Sequence, residues 1–256
     1  MTIAITREVS DRFASAISAA VPESPIDVAR ARSQHLAYRA ALESLGARVI
    51  VVDADDACPD CVFVEDTAVF AAGLAVVTRP GAVSRRAEVE PIARALSSLG
   101  ISIARMHAPA TLDGGDCLRV GRTIYVGRSA RTNAAGIAAL AGAFESRGVR
   151  VVAVTMPPRI LHLKCVCSPL GDDRILLARG SIDPSTFAGV SIVWAPADET
   201  YAANAVFVGG GVIVAEGFPR TREALEGAGL RTIAVPCGEV RKADGSLTCQ
   251  SIILPA

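Results

Sequence analysis

The sequence predicts a five-unit α/β propeller, a ring of like units around a central channel, occupying residues 1–256 as one domain. Two observations carry this. The order strand, strand, helix, strand recurs along the chain with a spacing of roughly 40 to 50 residues, too short for any unit to bury its own apolar face. The two ends of the chain each carry part of one further unit, so closing it joins them. A doubly wound open sheet also alternates strands with helices, but it gives no reason for both termini to complete one unit.

In chain order, Ile3-Ala-Ile-Thr6 reads as a strand and residues 27–45 as an amphipathic helix, with Val28, Ala31, His35, Tyr38, Leu42 and Leu45 on one stripe. Gly46 and a strand over 48–52 follow, completing the second half of a unit whose missing strand is 250–254. The next unit runs through Asp66-Thr-Ala-Val-Phe, Gly73-Leu-Ala-Val-Val-Thr, a helix ending at Leu99-Gly100 and Ile101-Ser-Ile-Ala. Another contains Asp116-Cys-Leu-Arg-Val, Gly121-Arg-Thr-Ile-Tyr-Val-Gly, a helix closed by Arg147-Gly148 and a strand over 149–154. A weaker one has strands at 164–167, 175–178 and 191–194 with a short helical piece near 184–187. The last uses Asn204-Ala-Val-Phe-Val, Gly211-Val-Ile-Val-Ala, a helix to Gly229 and Thr232-Ile-Ala-Val. The helices end on glycine, which accepts a left-handed cap without a side-chain clash.

With 256 residues, 51% of them hydrophobic, the chain can bury a sizeable core. Lys plus Arg equals Asp plus Glu at 26 each. Neither nucleic acid nor an anionic membrane is therefore expected as a partner. The Ala-rich stretch 13–21 is broken by polar residues and no basic run precedes it, so neither a signal peptide nor a membrane span is expected. Seven cysteines without an export signal fit reduced thiols in a cytoplasm.

Some polar residues escape the apolar periodicity. Arg241-Lys-Ala-Asp-Gly-Ser-Leu-Thr-Cys249-Gln-Ser-Ile-Ile-Leu delivers a cysteine into an apolar strand, and a thiolate there suits nucleophilic attack on electron-poor carbon. Of three histidines, His35 reads as a packed residue with a satisfied hydrogen bond and His107 as a loop residue. His162 instead occupies the place in its unit that Asp66, Asp116 and Asn204 hold in theirs, where a propeller directs side chains at its channel. Asp60, Glu65, Asp66, Asp113 and Asp116 cluster at the same level, and carboxylates so placed call for a cation. Arg85 and Arg131 recur at equivalent positions, and paired guanidiniums bind a carboxylate. Such a site suits a small molecule with one cationic and one anionic end.

Phe63-Val-Glu65-Asp66, Thr78-Arg-Pro-Gly-Ala-Val-Ser-Arg85-Arg86, Thr111-Leu-Asp113-Gly-Gly-Asp116, Ser129-Ala-Arg131-Thr-Asn133, Leu161-His162-Leu-Lys164, Tyr201-Ala-Ala-Asn204, Gly217-Phe-Pro-Arg-Thr221 and Cys249 closely resemble the dimethylarginine dimethylaminohydrolase family of guanidino-modifying (pentein) enzymes. The resemblance covers nearly the whole chain. It implies a five-unit α/β propeller with its site in the central channel, and hydrolysis of asymmetric dimethylarginine or monomethylarginine to citrulline and a methylamine, with no metal and no cofactor. It further implies Cys249 as nucleophile, His162 as general acid and base, and Asp113 as the carboxylate that orients the histidine. Asp66 would grip the guanidinium with Asp60 and Glu65 beside it. Arg85 and Arg131 would receive the α-carboxylate, and Ile17 and Ala243 would close over the substrate through backbone carbonyls. A monomer or homodimer is expected.

The chain departs from the family's pattern at Gln250-Ser251, where relatives usually carry an apolar residue before the serine, and at Asp113, where some carry Glu. Cys117, Cys165 and Cys167 lie close in sequence to the catalytic positions and read as packing residues, with oxidation sensitivity as the alternative. Two other functions remain open. An arginine deiminase or another guanidino-modifying hydrolase would use much the same residues. Cys58-Pro-Asp-Cys61, with Cys165-Val-Cys167, is the sequence feature of a zinc-binding or redox-active thiol protein, although the second pair lacks the usual spacing.

Overall fold

The structure is a computed structural model that describes residues 1–19 and 21–255. Its described strands form five three-stranded sheets. The chain ends build the first: β1 (Ile3–Arg7) pairs in parallel with β2 (Arg48–Val52), while β15 (Ile252–Leu254) lies antiparallel on its other side, Ile3 facing Leu254 and Ile5 facing Ile252. The termini thus complete one unit, as the repeats require.

The other four sheets repeat this pattern. They are β3 (Ala68–Ala71), β4 (Leu74–Val77) and β5 (Ser102–Arg105); β6 (Cys117–Val120), β7 (Thr123–Arg128) and β8 (Arg150–Thr155); β9 (Cys167–Pro169), β10 (Arg174–Ala178) and β11 (Ser191–Ala195); and β12 (Val206–Val208), β13 (Gly211–Ala215) and β14 (Arg231–Val235). In each, a short inner strand runs antiparallel to the middle strand, which pairs in parallel with the outer one. Middle strands such as β4 and β13 are buried at every residue, whereas β2 and β5 are partly exposed. That gradient follows from position, since only a middle strand is covered on both faces and both edges.

Parallel middle and outer strands need a crossover. Helices α1 (Val28–Ser44), α2 (Val89–Ser98), α3 (Ala134–Glu145) and α4 (Pro219–Gly227) supply four of the five. In the fourth unit a 3-10 turn, Pro184–Phe187, does the same, with buried Phe187 set edge-on against Tyr125 at 5.0 Å. Asp27 and Asn133 cap α1 and α3 by accepting the backbone N–H of Arg30 and Gly136. The stripe read on α1 is buried at Ala31, His35, Tyr38 and Leu42.

The core is divided between neighbouring units. Val69, Val76, Ile124, Leu140 and Phe144 join the second unit to the third, and Tyr38, Leu42, Val206, Ile213 and Leu247 join the last to the first. No unit buries its face alone, which is the physical reason the ring closes.

The structure moves several boundaries. Strands expected from Asp66, Asp116, Lys164 and Asn204 begin two or three residues later or one later, and the segment before each inner strand is a 3-10 turn. These turns are Val64–Thr67, Gly114–Asp116, Leu163–Cys165, Ala197–Ala203 and Thr248–Gln250. Cys249 therefore sits in a turn before β15, not in the strand. Four of these turns have three or four residues and Ala197–Ala203 is interrupted at Glu199, so none is long or regular enough to imprint a hydrophobic period on the sequence.

The hairpin between β12 and β13 presses on the end of α1: Gly209 has φ +58°, and a Cβ there would stand 2.0 Å from the Leu45 carbonyl oxygen. Gly209→Ala should destabilise the protein by about 2–4 kcal/mol in urea unfolding. Gly142→Ala, in open space on α3, should stabilise it by about 0.5–1 kcal/mol. A Gly209→Ala protein as stable as the native chain would contradict this contact between units.

Candidate active site

The 3-10 turns deliver the site. His162 lies at the entry of the turn 163–165, only 6% exposed, and its Nε2 is 3.0 Å from Asp113 Oδ2. Asp113 is fully buried; its Oδ1 accepts the Gly81 N–H at 2.8 Å and Arg131 Nη1 lies 3.7 Å from Oδ2. Asp116 fixes the turn itself, accepting the Leu163 N–H at 3.0 Å and the Ser129 and Thr132 hydroxyls at 2.6 and 2.7 Å. Gly115 packs under the imidazole, where a Cβ would stand 2.7 Å from Nδ1 and 3.0 Å from Asp66 Oδ1. No side chain larger than hydrogen fits there.

Asp66 accepts the Gly115 N–H at 2.9 Å and holds Arg85 Nη1 at 2.5 Å. Arg85 is 5% exposed and is held further by Glu88, with Nη2 to Oε2 at 2.8 Å, and by the Phe63 carbonyl at 2.8 Å. Of the two guanidiniums expected to receive a carboxylate, Arg85 is thus bound by two acids, and Arg131 is the more exposed, its side chain 20% accessible.

Both carboxylate oxygens of Glu65 have protein partners. Its Oε1 is paired with Lys164 Nζ at 2.5 Å, and its Oε2 accepts the Thr248 hydroxyl at 2.7 Å. Asn204 completes this group, donating to the Lys164 carbonyl at 2.9 Å and accepting the Thr248 N–H at 2.9 Å. The residue preceding Cys249 is therefore held from two other units. Beyond this group the inner strands line a cavity of about 360 Å³, walled by Val69, Phe70, Val206, Phe207 and Ile252.

Asp60, 6% exposed, accepts the Ile17 N–H at 3.0 Å. The Ala19 N–H donates to Asp244 Oδ2 at 2.5 Å, so the segments bearing Ile17 and Ala243 are tied together. Ile17 is 37% exposed and Ala243 is buried.

Burial opposes charge on His162, but Asp66, the Asp113 hydrogen bond and Asp116 outweigh it and raise its pKa to about 9. Burial, with Glu65 and Asp66, pushes the Cys249 thiol well above its ordinary range. Burial also opposes charge on Asp66, yet His162 and Arg85 hold it below the usual carboxylate range. At neutral pH the site therefore pairs an imidazolium with an un-ionised thiol.

All seven cysteines are free. Among the described residues, the one group of three or more candidate metal ligands with donor atoms within 4.8 Å of one another is Asp66, Asp113 and His162, and it includes neither Cys58 nor Cys61. Arg85 and the Gly115 and Gly81 amides already occupy those two carboxylates. No helix among the described residues is long and apolar enough to cross a membrane.

Lys164, Asn204, Thr248, Glu88 and Gly115 had no assigned role in the sequence. Asn204 alone carried a signal, its place in the repeat.

The family described as N,N dimethylarginine dimethylhydrolase, eukaryotic, matches residues 6–188. An N(G),N(G)-dimethylarginine dimethylaminohydrolase of Streptomyces coelicolor is 40% identical over 252 residues, covering 98% of this chain and 96% of its own. One of Pseudomonas aeruginosa is 37% identical over 227 residues, covering 88% and 89%. A Pseudomonas aeruginosa structure, a cysteine-to-serine mutant complexed with citrulline, matches 98% of each chain with a TM-score of 0.93 and 34% identity. The N-terminal domain of ArgZ, an arginine dihydrolase of cyanobacteria, shares the fold at 18% identity, with a TM-score of 0.88 over 99% of this chain and 97% of its own. The five-unit architecture, the matched motifs and identity along almost the whole length agree, and the chain belongs to the dimethylarginine dimethylaminohydrolase family.

Proposed function

We propose that this chain hydrolyses asymmetric N,N-dimethyl-L-arginine, and N-monomethyl-L-arginine, to L-citrulline with release of dimethylamine or methylamine. The observation that carries the reading is the Asp113-bound His162 imidazolium, set among carboxylates of which Asp66 also acts on the Cys249 thiol. Identity with named dimethylarginine dimethylaminohydrolases supports the substrate.

Guanidinium carbon is a weak electrophile because its charge is delocalised, so the site must hold its plane and stabilise the adduct. Asp66 and Asp60 offer carboxylates to the guanidinium nitrogens. The same cation offsets the negative field that keeps Cys249 un-ionised, so the thiol proton leaves to solvent as substrate binds. The Cys249 thiolate adds to the carbon. His162 donates its proton to the methylated nitrogen, the C–N bond breaks, and a thiouronium remains on sulfur. Neutral His162 then takes a proton from water as the water oxygen bonds to the same carbon. The C–S bond breaks, the hydroxyl proton of the adduct passes to solvent as the citrulline carbonyl forms, and the thiolate is restored. No step uses a metal or organic cofactor.

Arg131 and Arg85 receive the α-carboxylate in this reading. Arg85 stays anchored to Asp66, Glu88 and the Phe63 carbonyl, and its fixed positive charge adds to that of the more exposed Arg131. Ile17 and Ala243 close over the bound molecule, and Glu65 acts by holding Thr248. Residues 1–256 act as one catalytic domain, as a monomer or homodimer. Seven free cysteines suit a cytoplasmic setting.

Citrulline and dimethylamine should form in equal amounts from asymmetric dimethylarginine, with little citrulline from arginine. Citrulline mainly from arginine would make the enzyme a deiminase. Cys249→Ser should abolish turnover while calorimetry still detects substrate binding, and His162→Gly should also stop it. Appreciable turnover by either variant would refute the mechanism.

A further inference from the structure

Three side chains hold the turn that bears Cys249, and two of them, Glu65 and Asn204, act on Thr248. On the other side of the nucleophile stands Gln250, 2% exposed. Its Oε1 lies 2.9 Å from His35 Nδ1, and its Nε2 donates to the Ser246 carbonyl at 3.2 Å. An amide oxygen only accepts, so Nδ1 of His35 carries the proton. His35 is 1% exposed, and its Nε2 has no hydrogen-bond partner among the described residues. The Ser246 backbone favours ionisation of the Cys249 thiol against the opposing effect of burial. A polar chain thus runs from α1 through Gln250 to Ser246, in the segment that leads into the Cys249 turn.

We propose that His35 and Gln250 are a positioning pair that fixes the Cys249 turn by holding the Ser246 carbonyl. This inference rests on the proposed nucleophilic role of Cys249. A buried amide that loses a partner must find another or pull toward water, and replacing Gln250 also takes the donor from the Ser246 carbonyl. Without His35, Gln250 Oε1 is orphaned, its side chain is free to turn, and its grip on the Ser246 carbonyl goes with it. The hydrogen bond from Tyr38 to Ser251, at 2.6 Å, lies on the same helix but reaches the residue after Gln250. It leaves the Gln250 amide without a substitute.

The test compares native protein with His35→Leu, His35→Asn, Gln250→Met and the double variant His35→Leu with Gln250→Met. Three quantities are read: kcat and KM on asymmetric dimethylarginine, iodoacetamide alkylation at the Cys249 peptide by mass spectrometry without substrate, and Tm. His35→Leu and Gln250→Met should each lower kcat and the alkylation rate by about tenfold, with KM changed less than about twofold. His35→Asn, whose amide nitrogen can take the place of Nδ1, should remain near native in both rates, and the double variant should be no more impaired than Gln250→Met alone, because both residues act through the Ser246 carbonyl. A purely packing role would lower Tm and leave the alkylation rate alone, and that result overturns the proposal. So would a His35→Asn protein as impaired as His35→Leu. Should His35→Leu fail to fold, Gln250→Met and His35→Asn decide the question. Absence of methylarginine turnover in the native protein, with the alkylation differences intact, would refute the substrate assignment and leave the pair standing.

Discussion

Glu65, Asp66, Asp113 and Asp116 are all buried at one level of the channel, and their mutual repulsion is the constraint on everything near them. A buried charge left unpaired costs several kcal/mol, so each needs a compensating group. Asp66 has Arg85, Glu65 has Lys164, Asp116 has two hydroxyls and a backbone amide, and Asp113 has His162 with Arg131 farther off. His162 is held cationic as part of that balance, and burial together with the same field keeps the Cys249 thiol un-ionised. In the proposed reaction a proton donor is therefore ready before substrate arrives, while the nucleophile waits for the substrate's charge.

The fold makes this crowding possible because five separate turns point at one axis. Three of these turns are fixed by groups from other units: Leu163 by Asp116, Thr248 by Asn204 and Glu65, Gly115 by Asp66. Distances within the site thus depend on the ring being closed, and closure depends on the pairing of β15 with β1. A loosened contact between units, even one far from the channel such as that between Gly209 and α1, would be felt as a change of site geometry.

The ring was legible in the sequence because strand and helix periodicities extend over many residues, and because the incomplete units at Ile3 and Leu254 fit only each other. The candidate residues were legible as polar groups where apolar ones were expected, and the motif resemblance supplied their roles. The turns were not legible, since three residues carry no period. Nor were the partners. Glu65 reads as one more channel acid until its pairing with Lys164 is known, and nothing about Arg85 discloses that Asp66 and Glu88 both hold it. Pairings between residues tens of positions apart follow from packing, and His35 with Gln250, joined across 215 positions, shows this most plainly.

The charge of His162 is the measurement that bears most directly on this account. The chain has three histidines, so imidazole NMR signals can be assigned by comparison with His162→Gly. The account predicts that His162 remains protonated at pH 7 and loses its proton around pH 9, and that Asp66→Asn moves that midpoint down. A His162 that is neutral at pH 7, titrating at or below the ordinary histidine value of about 6.5, would contradict it.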